Sequence, residues 1–218
     1  MEMHTLTIPI LLTAANEFAA EESTHWEPTL YGVTDGKAVG TYVEHKFTAN
    51  LALHYDFAAG NSATGIDLPG LGVDIKVTSI QQPQSSCPFK SARQKVFGLG
   101  YNLLVFVYEK RDDPREVKGN LNFRHVVFVE SARTGDYQMT TGLRQIVQNN
   151  GNTDDIVAFF QDKNLPVDEM EARNIAQQVL QTTPEVGYLT ISNALQWRLQ
   201  YGRAITQAGI VSGVHRVL

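Results

Sequence analysis

The run Gly65-Ile66-Asp67-Leu68-Pro69-Gly70-Leu71-Gly72-Val73-Asp74-Ile75-Lys76-Val77-Thr78-Ser79 constrains this chain more than any other segment. It predicts two short apolar strands folded over a Pro-Gly and Gly-Val turn, with an acid at a matching place on each. Strand side chains alternate between faces, so Asp74 and Lys76 share one face while Ile75 enters the core. Hard cations such as Mg²⁺ take oxygen ligands that converge from different backbone segments. A bent ribbon carrying Asp67 and Asp74 offers two.

With 218 residues and 43% hydrophobic content, the chain can bury a full core, and one domain is expected. Its one cysteine, Cys87, rules out an intrachain disulfide and a cysteine-rich zinc site. The apolar stretch from Leu6 to Ala15 lacks a basic start, contains Pro9 and is too short to span a bilayer. A cytoplasmic protein without a membrane segment is expected. The net charge of −5 argues against nonspecific coating of nucleic acid. Its distribution is uneven: residues 1–74 carry −8, residues 75–134 carry +5 and residues 135–218 carry −2. The positive excess begins just after the acidic ribbon, as it would if phosphate approached from that side.

Along the chain, Thr13 to Glu22 reads as a short helix whose Glu17, Glu21 and Glu22 form a hydrophilic face. Val39, Val43, Phe47 and Leu51 recur every four residues and predict an amphipathic helix over 37–55. Thr78 to Pro88 is polar and reads as a loop, followed by a basic helix from Phe89 to Gly98. Asn102 to Glu109 is continuously apolar, β-branched and aromatic, the pattern of a buried central strand. A charged loop over 110–119 and a strand from His125 to Glu130 follow. Helices are predicted over 141–148, 153–163, 168–181 and 191–203. This order gives an α/β fold: a three-layer core over 1–135 with a central mixed sheet flanked by helices, and a helical C-terminal region over 136–218 packed on it.

Other chemistry is thinly marked. Gly98-Leu99-Gly100 fits neither a dinucleotide nor a Walker fingerprint and reads as a helix stop. The six histidines lack metal-ligand spacing, no GxSxG elbow is present, and Cys87 reads as a buried structural thiol. Gln82, Gln84, Ser85 and Ser86 carry amides and hydroxyls able to meet phosphates or base edges. Lys90, Arg93, Gln94 and Lys95 on the following helix are candidates for phosphate contact.

An acid, a second acid and an ammonium on one sheet face resemble the active site of the PD-(D/E)XK nucleases. The likeness covers about Gly36 to Glu130, is carried by Gly65–Ser79, the SSCPFKSARQK segment and the GYNLLVFVYEK strand, and is strongest to type II restriction endonucleases. That resemblance implies a restriction-endonuclease-like core and a Mg²⁺-dependent phosphodiesterase. Its substrate would be double-stranded DNA cut at a short sequence, usually by a homodimer. Asp67 and Asp74 would hold the metal, Lys76 would sit beside the attacking water, and Glu44, on the preceding helix, would be a third acid. Glu44 reads equally as a solvent-facing partner of Lys46 or Lys37. Gln94 with Tyr101 resembles the polar pattern many members carry beside the site. The chain departs from the motif in having Ile66 where proline precedes the first acid, and in its short spacing between the acids.

Two other functions fit the same residues. One is a nuclease of this fold used in repair, recombination or element excision, which would nick by structure rather than cut at a sequence. The other is a noncatalytic DNA-binding or assembly protein that retains the fold, for which Asp74 and Lys76 would be dispensable.

Overall fold

The computed structural model describes residues 4–58, 60, 65–87, 90–192 and 197–218. In chain order its first elements are β1 (His4–Thr5), α1 (Ile8–Glu22), β2 (Trp26–Glu27), α2 (Gly36–His54) and β3 (Tyr55–Asp56). Then come β4 (Val73–Ser79), β5 (Gln84–Cys87), α3 (Arg93–Phe97), β6 (Asn102–Asp113) and β7 (Lys118–Val129). The last third holds α4 (Tyr137–Gln148), α5 (Thr153–Asp162), α6 (Glu169–Gln181), β8 (Thr190–Ile191), β9 (Trp197–Gln200), α7 (Gly202–Gln207) and β10 (Val214–Arg216). The fold is α/β, with a mixed central sheet flanked by helices.

Two compact units interleave along the chain. The first comprises Met1–Gln84, Asn102–Val129 and Ala208–Leu218. Its sheet runs β10-β7-β6-β4, with β2 also paired to β7. β4 and β6 are parallel, in register from Val73↔Asn102 to Ser79↔Tyr108, whereas β6 and β7 are antiparallel. Alternation along these strands sends Ile75, Leu104, Phe106, Phe123 and Phe128 into one apolar cluster with α1 and α2. At its centre the rings of Phe18, Phe47, Phe106 and Phe123 pack with centroids 5.1–6.4 Å apart. Such contacts add roughly 0.5–1.5 kcal/mol per pair beyond area burial. Leu103, Val105 and Val107, pointing the other way, are buried too, as a continuous apolar run requires.

The second unit comprises Ser85–Tyr101 and Glu130–Gln207. Val96, Met139, Leu143, Ile156, Phe160, Ile175 and Val179 form its helical core. Each main helix starts on a side-chain cap: Asp136 for α4, Asn152 for α5 and Asp168 for α6. A three-stranded sheet, β5-β9-β8, belongs largely to this unit.

Four sequence expectations are corrected. The polar stretch after Ser79 is not all loop, because Gln84–Cys87 pairs with β9; Pro88 lies outside the described residues. The helix expected over 89–98 is confined to Arg93–Phe97, with Phe89 outside the described residues. The charged segment 110–119 is a hairpin whose strands run to Asp113 and resume at Lys118, exposed side chains tolerating charge where backbone pairing persists. Over 191–203 the chain forms β9 and then α7 instead of one helix, and residues 193–196 lie outside the described residues.

Candidate active site

β4 ends the order of the mixed sheet, so its side chains reach the margin of the first unit while Ile75 stays fully buried. Ahead of it, Pro69–Leu71 makes a single 3₁₀ turn, and Gly72 takes the left-handed conformation (φ 59°) that closes it. The expected two-stranded ribbon reduces to one bridge, Leu68↔Val73, with Asp67 just before it. Asp67 is nevertheless held against β4, because its Oδ2 accepts the Ile75 N–H at 2.7 Å. The carboxylate thus satisfies a backbone donor that the terminal strand would otherwise leave open.

Asp74 and Lys76 leave the same face of β4. Asp74 is 4% exposed, and its Oδ2 lies 2.7 Å from Lys76 Nζ. Burial pushes the Asp74 carboxyl up to about 7 against the pull of Lys76, and a hydrogen bond to Asp67 and that residue's charge push the same way. Near neutral pH the Asp74 carboxyl is therefore partly protonated, as expected of a desolvated carboxyl beside a second acid. Burial alone would lower Lys76, but the contact with Asp74 and the charges of Asp67 and Glu44 carry it above its ordinary value. Glu44, half-buried on α2, is raised by burial first and then by Asp67, with Lys76 opposing. Lys46 is not its partner; that ammonium lies 2.7 Å from Glu22. Glu44, Asp67, Asp74 and Lys76 thus form one electrostatic group.

Among the described residues, no group of three or more His, Cys, Asp or Glu is gathered as a ready-made metal cage. Mg²⁺ does not require one, since it binds through one or two carboxylates and keeps waters or phosphate oxygens in its remaining positions. Asp74, with the Asp67 carboxyl hydrogen-bonded beside it, is a donor set of that type.

The other candidates divide between the two units. In the first, Gln82 is exposed, and the backbone N–H of half-buried Gln84 donates to Thr78 Oγ1 at 3.0 Å. In the second, Ser86 and Lys90 are exposed, whereas Gln94 and Lys95, also candidates for phosphate contact, are buried. Gln94 Oε1 accepts the Lys90 N–H, and Arg93 pairs with Glu171 at 3.2 Å. Tyr101 is buried with its hydroxyl 3.6 Å from Cys87 Sγ. Two buried acids escaped sequence reasoning. Glu22, expected on a hydrophilic helix face, accepts the Tyr42 hydroxyl at 2.7 Å as well as pairing with Lys46. Asp136 takes the N–H groups of Met139 and Ile191, both at 2.8 Å, tying α4 to β8.

A mixed α/β sheet flanked by helices, with Asp74 and Lys76 on its terminal strand and Asp67 held against that strand, is the arrangement of a restriction-endonuclease-like protein. A family model described as type II restriction enzyme NspV matches residues 5–216. A protein named type II restriction enzyme NspV, from Nostoc sp. (strain ATCC 29411 / PCC 7524), is 61% identical over 212 residues, covering 97% of this chain and 96% of the relative. The chain belongs to the NspV family of type II restriction enzymes. No solved structure matches it.

Proposed function

We propose that this chain is a Mg²⁺-dependent endonuclease that hydrolyses phosphodiester bonds of double-stranded DNA at a short recognition sequence. The carrying observation is the buried Asp74 carboxyl, hydrogen-bonded to Asp67 on one side and paired with Lys76 on the other. Family membership supports the substrate and reaction class. Asp67 and Asp74 would hold the metal, with Glu44 as the third acid. A divalent ion bound there would neutralise phosphoryl charge and lower the pKa of a bound water. The backbone N–H of Ile75 fixes the orientation of Asp67, and β4 fixes Asp74 and Lys76 two residues apart on one face. Lys76, charged through the neutral range, holds a proton donor beside the reacting phosphate and steadies negative charge that develops on it.

Gln82, Gln84, Ser86, Lys90 and Arg93 are the polar and basic side chains proposed to contact DNA outside the metal-binding acids. A homodimer acting in the cytoplasm suits cleavage of both strands at a symmetric sequence. No helix among the described residues is long and apolar enough to cross a membrane.

Incubation with plasmid DNA and Mg²⁺, followed by sequencing of fragment ends, tests this reading. Discrete fragments with one common end sequence are expected. Nicking governed by DNA structure would favour a repair or recombination nuclease, and no cleavage with any divalent metal would leave a binding protein.

A further inference from the structure

The second unit carries a sheet face that its core does not use. In β9, Trp197 and Leu199 are buried while Arg198 and Gln200 are exposed; in β8, Ile191 is buried and Thr190 exposed. The register pairs Thr190 with Gln200 and Ile191 with Leu199, so the two exposed residues lie side by side on one surface. Ser192 continues the row opposite Arg198, donating its N–H to the Arg198 carbonyl at 3.1 Å and accepting the Arg198 N–H on Oγ at 3.3 Å. On β5, Ser85 Oγ meets the buried Tyr201 hydroxyl at 2.5 Å and Cys87 is buried, so alternation turns the exposed Ser86 outward. The outer face is therefore built from arginine, glutamine, serine and threonine, without a carboxylate among these residues. Two residues past Tyr201, the guanidinium of exposed Arg203 lies 3.6 Å over the Tyr137 ring, a stack that leaves its edge donors open. Among the described residues neither Arg198 nor Arg203 is in an ion pair.

A solvated strand face in a net-acidic chain ordinarily mixes both charges, whereas the described residues of this one offer a cation and two-way hydrogen-bonding groups. Such side chains match base edges: arginine spans guanine O6 and N7, glutamine spans adenine N6 and N7, and hydroxyls serve either.

We propose that the outer face of the β5-β9-β8 sheet reads base edges of the DNA substrate, with Arg198 and Gln200 as specificity-determining residues and Ser86, Thr190 and Ser192 beside them. The inference rests on the reading of the chain as a sequence-specific DNA endonuclease. It assigns recognition to the unit that does not hold Asp67, Asp74 and Lys76.

The test uses the full chain. Plasmid digestion by the wild type first defines its site, and duplex oligonucleotides then carry that site or each single-base-pair change. Arg198→Ala and Gln200→Ala are each expected to lower kcat/KM on the parental site about 5- to 150-fold, the range for losing one bidentate base contact. Each should also erase discrimination at one base-pair position, a readout that a structural role would not move. Arg198→Lys should keep the salt dependence of binding and still lose that discrimination, since an ammonium lacks the planar fork. Arg115→Ala, in the β6-β7 turn, is the control and should change neither. Unaltered preference in Arg198→Ala and Gln200→Ala overturns the inference. So does an equal loss on every duplex with a shallower salt slope, which marks phosphate contact only. A wild type that cuts nowhere removes the endonuclease reading and this inference with it. A wild type that cuts at one site, with both variants keeping its preference, removes this inference alone.

Discussion

Lys76 Nζ lies 2.7 Å from Asp74 Oδ2, with both side chains leaving the same face of a strand that ends its sheet. The spacing is a property of extended backbone: residues two apart project together, about 7 Å along the strand, and a lysine is long enough to fold back onto the acid. The pair holds an ammonium and a carboxyl where burial alone would discharge both.

The raised carboxyl makes Asp74 a stability liability whose sign can be worked out. Its folded value of about 7 stands above the ordinary 3.8, so the folded chain binds more protons than the unfolded chain between those limits. The contribution is fully present below about pH 4 and is lost as pH rises through 7. Asp74→Asn should therefore gain Tm relative to the wild type as pH is raised from 5 to 8. A Tm difference that stays flat across that range would show that Asp74 is not desolvated as described. Cleavage by this variant should fall by at least about a thousandfold, because an amide cannot supply the anionic ligand.

Binding of Mg²⁺ should compete with the proton on Asp74. Metal affinity, followed by calorimetry on the apo protein without DNA, should weaken about tenfold per pH unit below 7, since Asp74 must be deprotonated to ligate. Equal affinity at pH 6 and pH 8 would sink the assignment of Asp74 as a ligand.

Substitution of Lys76 should separate metal binding from turnover. Lys76→Ala is expected to lower kcat by about a hundredfold or more, the scale for one electrostatic donor at a reacting phosphate, with calorimetric Mg²⁺ binding retained. Parental cleavage rates in this variant would rule Lys76 out of the reaction.

Gly98 tests the second unit independently of any chemistry. It adopts φ 89°, and a Cβ there would lie 2.5 Å from the Ser131 carbonyl oxygen. Gly98→Ala combines a strained backbone with a clash against main chain, and should destabilise by on the order of 2–4 kcal/mol. Thermal unfolding measures it, and an unchanged Tm would mean that the turn after α3 is not packed as described.

The reach of sequence reasoning follows the range of the interactions involved. Asn102–Glu109 is legible as a central strand because a strand buried on both faces must be apolar throughout, a local signature. The helices expected over 153–163 and 168–181 are found there, and each begins on a cap, Asn152 or Asp168, that its own first turn completes, so nothing distant is needed to set them. Trp197–Gln200 is not legible. Its alternation is only four residues long, and one of its two partners, β5 (Gln84–Cys87), lies far from it in the chain. Lys95 misleads in the same way: beside Lys90 and Arg93 it reads as part of a solvated basic face, yet the chain buries it, with Asp136, some forty residues later, supporting its charge. Glu22 reads as surface until Tyr42 and Lys46, on another helix, close over it.

What the amino-acid order alone determined is the alternation that puts Asp74 and Lys76 together, the helices over 153–163 and 168–181, and an α/β composition too apolar to remain open, since each depends on neighbours a few residues apart. Tertiary structure decided how far Asp74 is desolvated, that Asp67 is held by the Ile75 N–H, and that Arg198 and Gln200 stay outside while Gln94 and Lys95 do not. Burial and strand pairing join residues distant in the chain, and the dielectric around a carboxyl is set by everything packed against it.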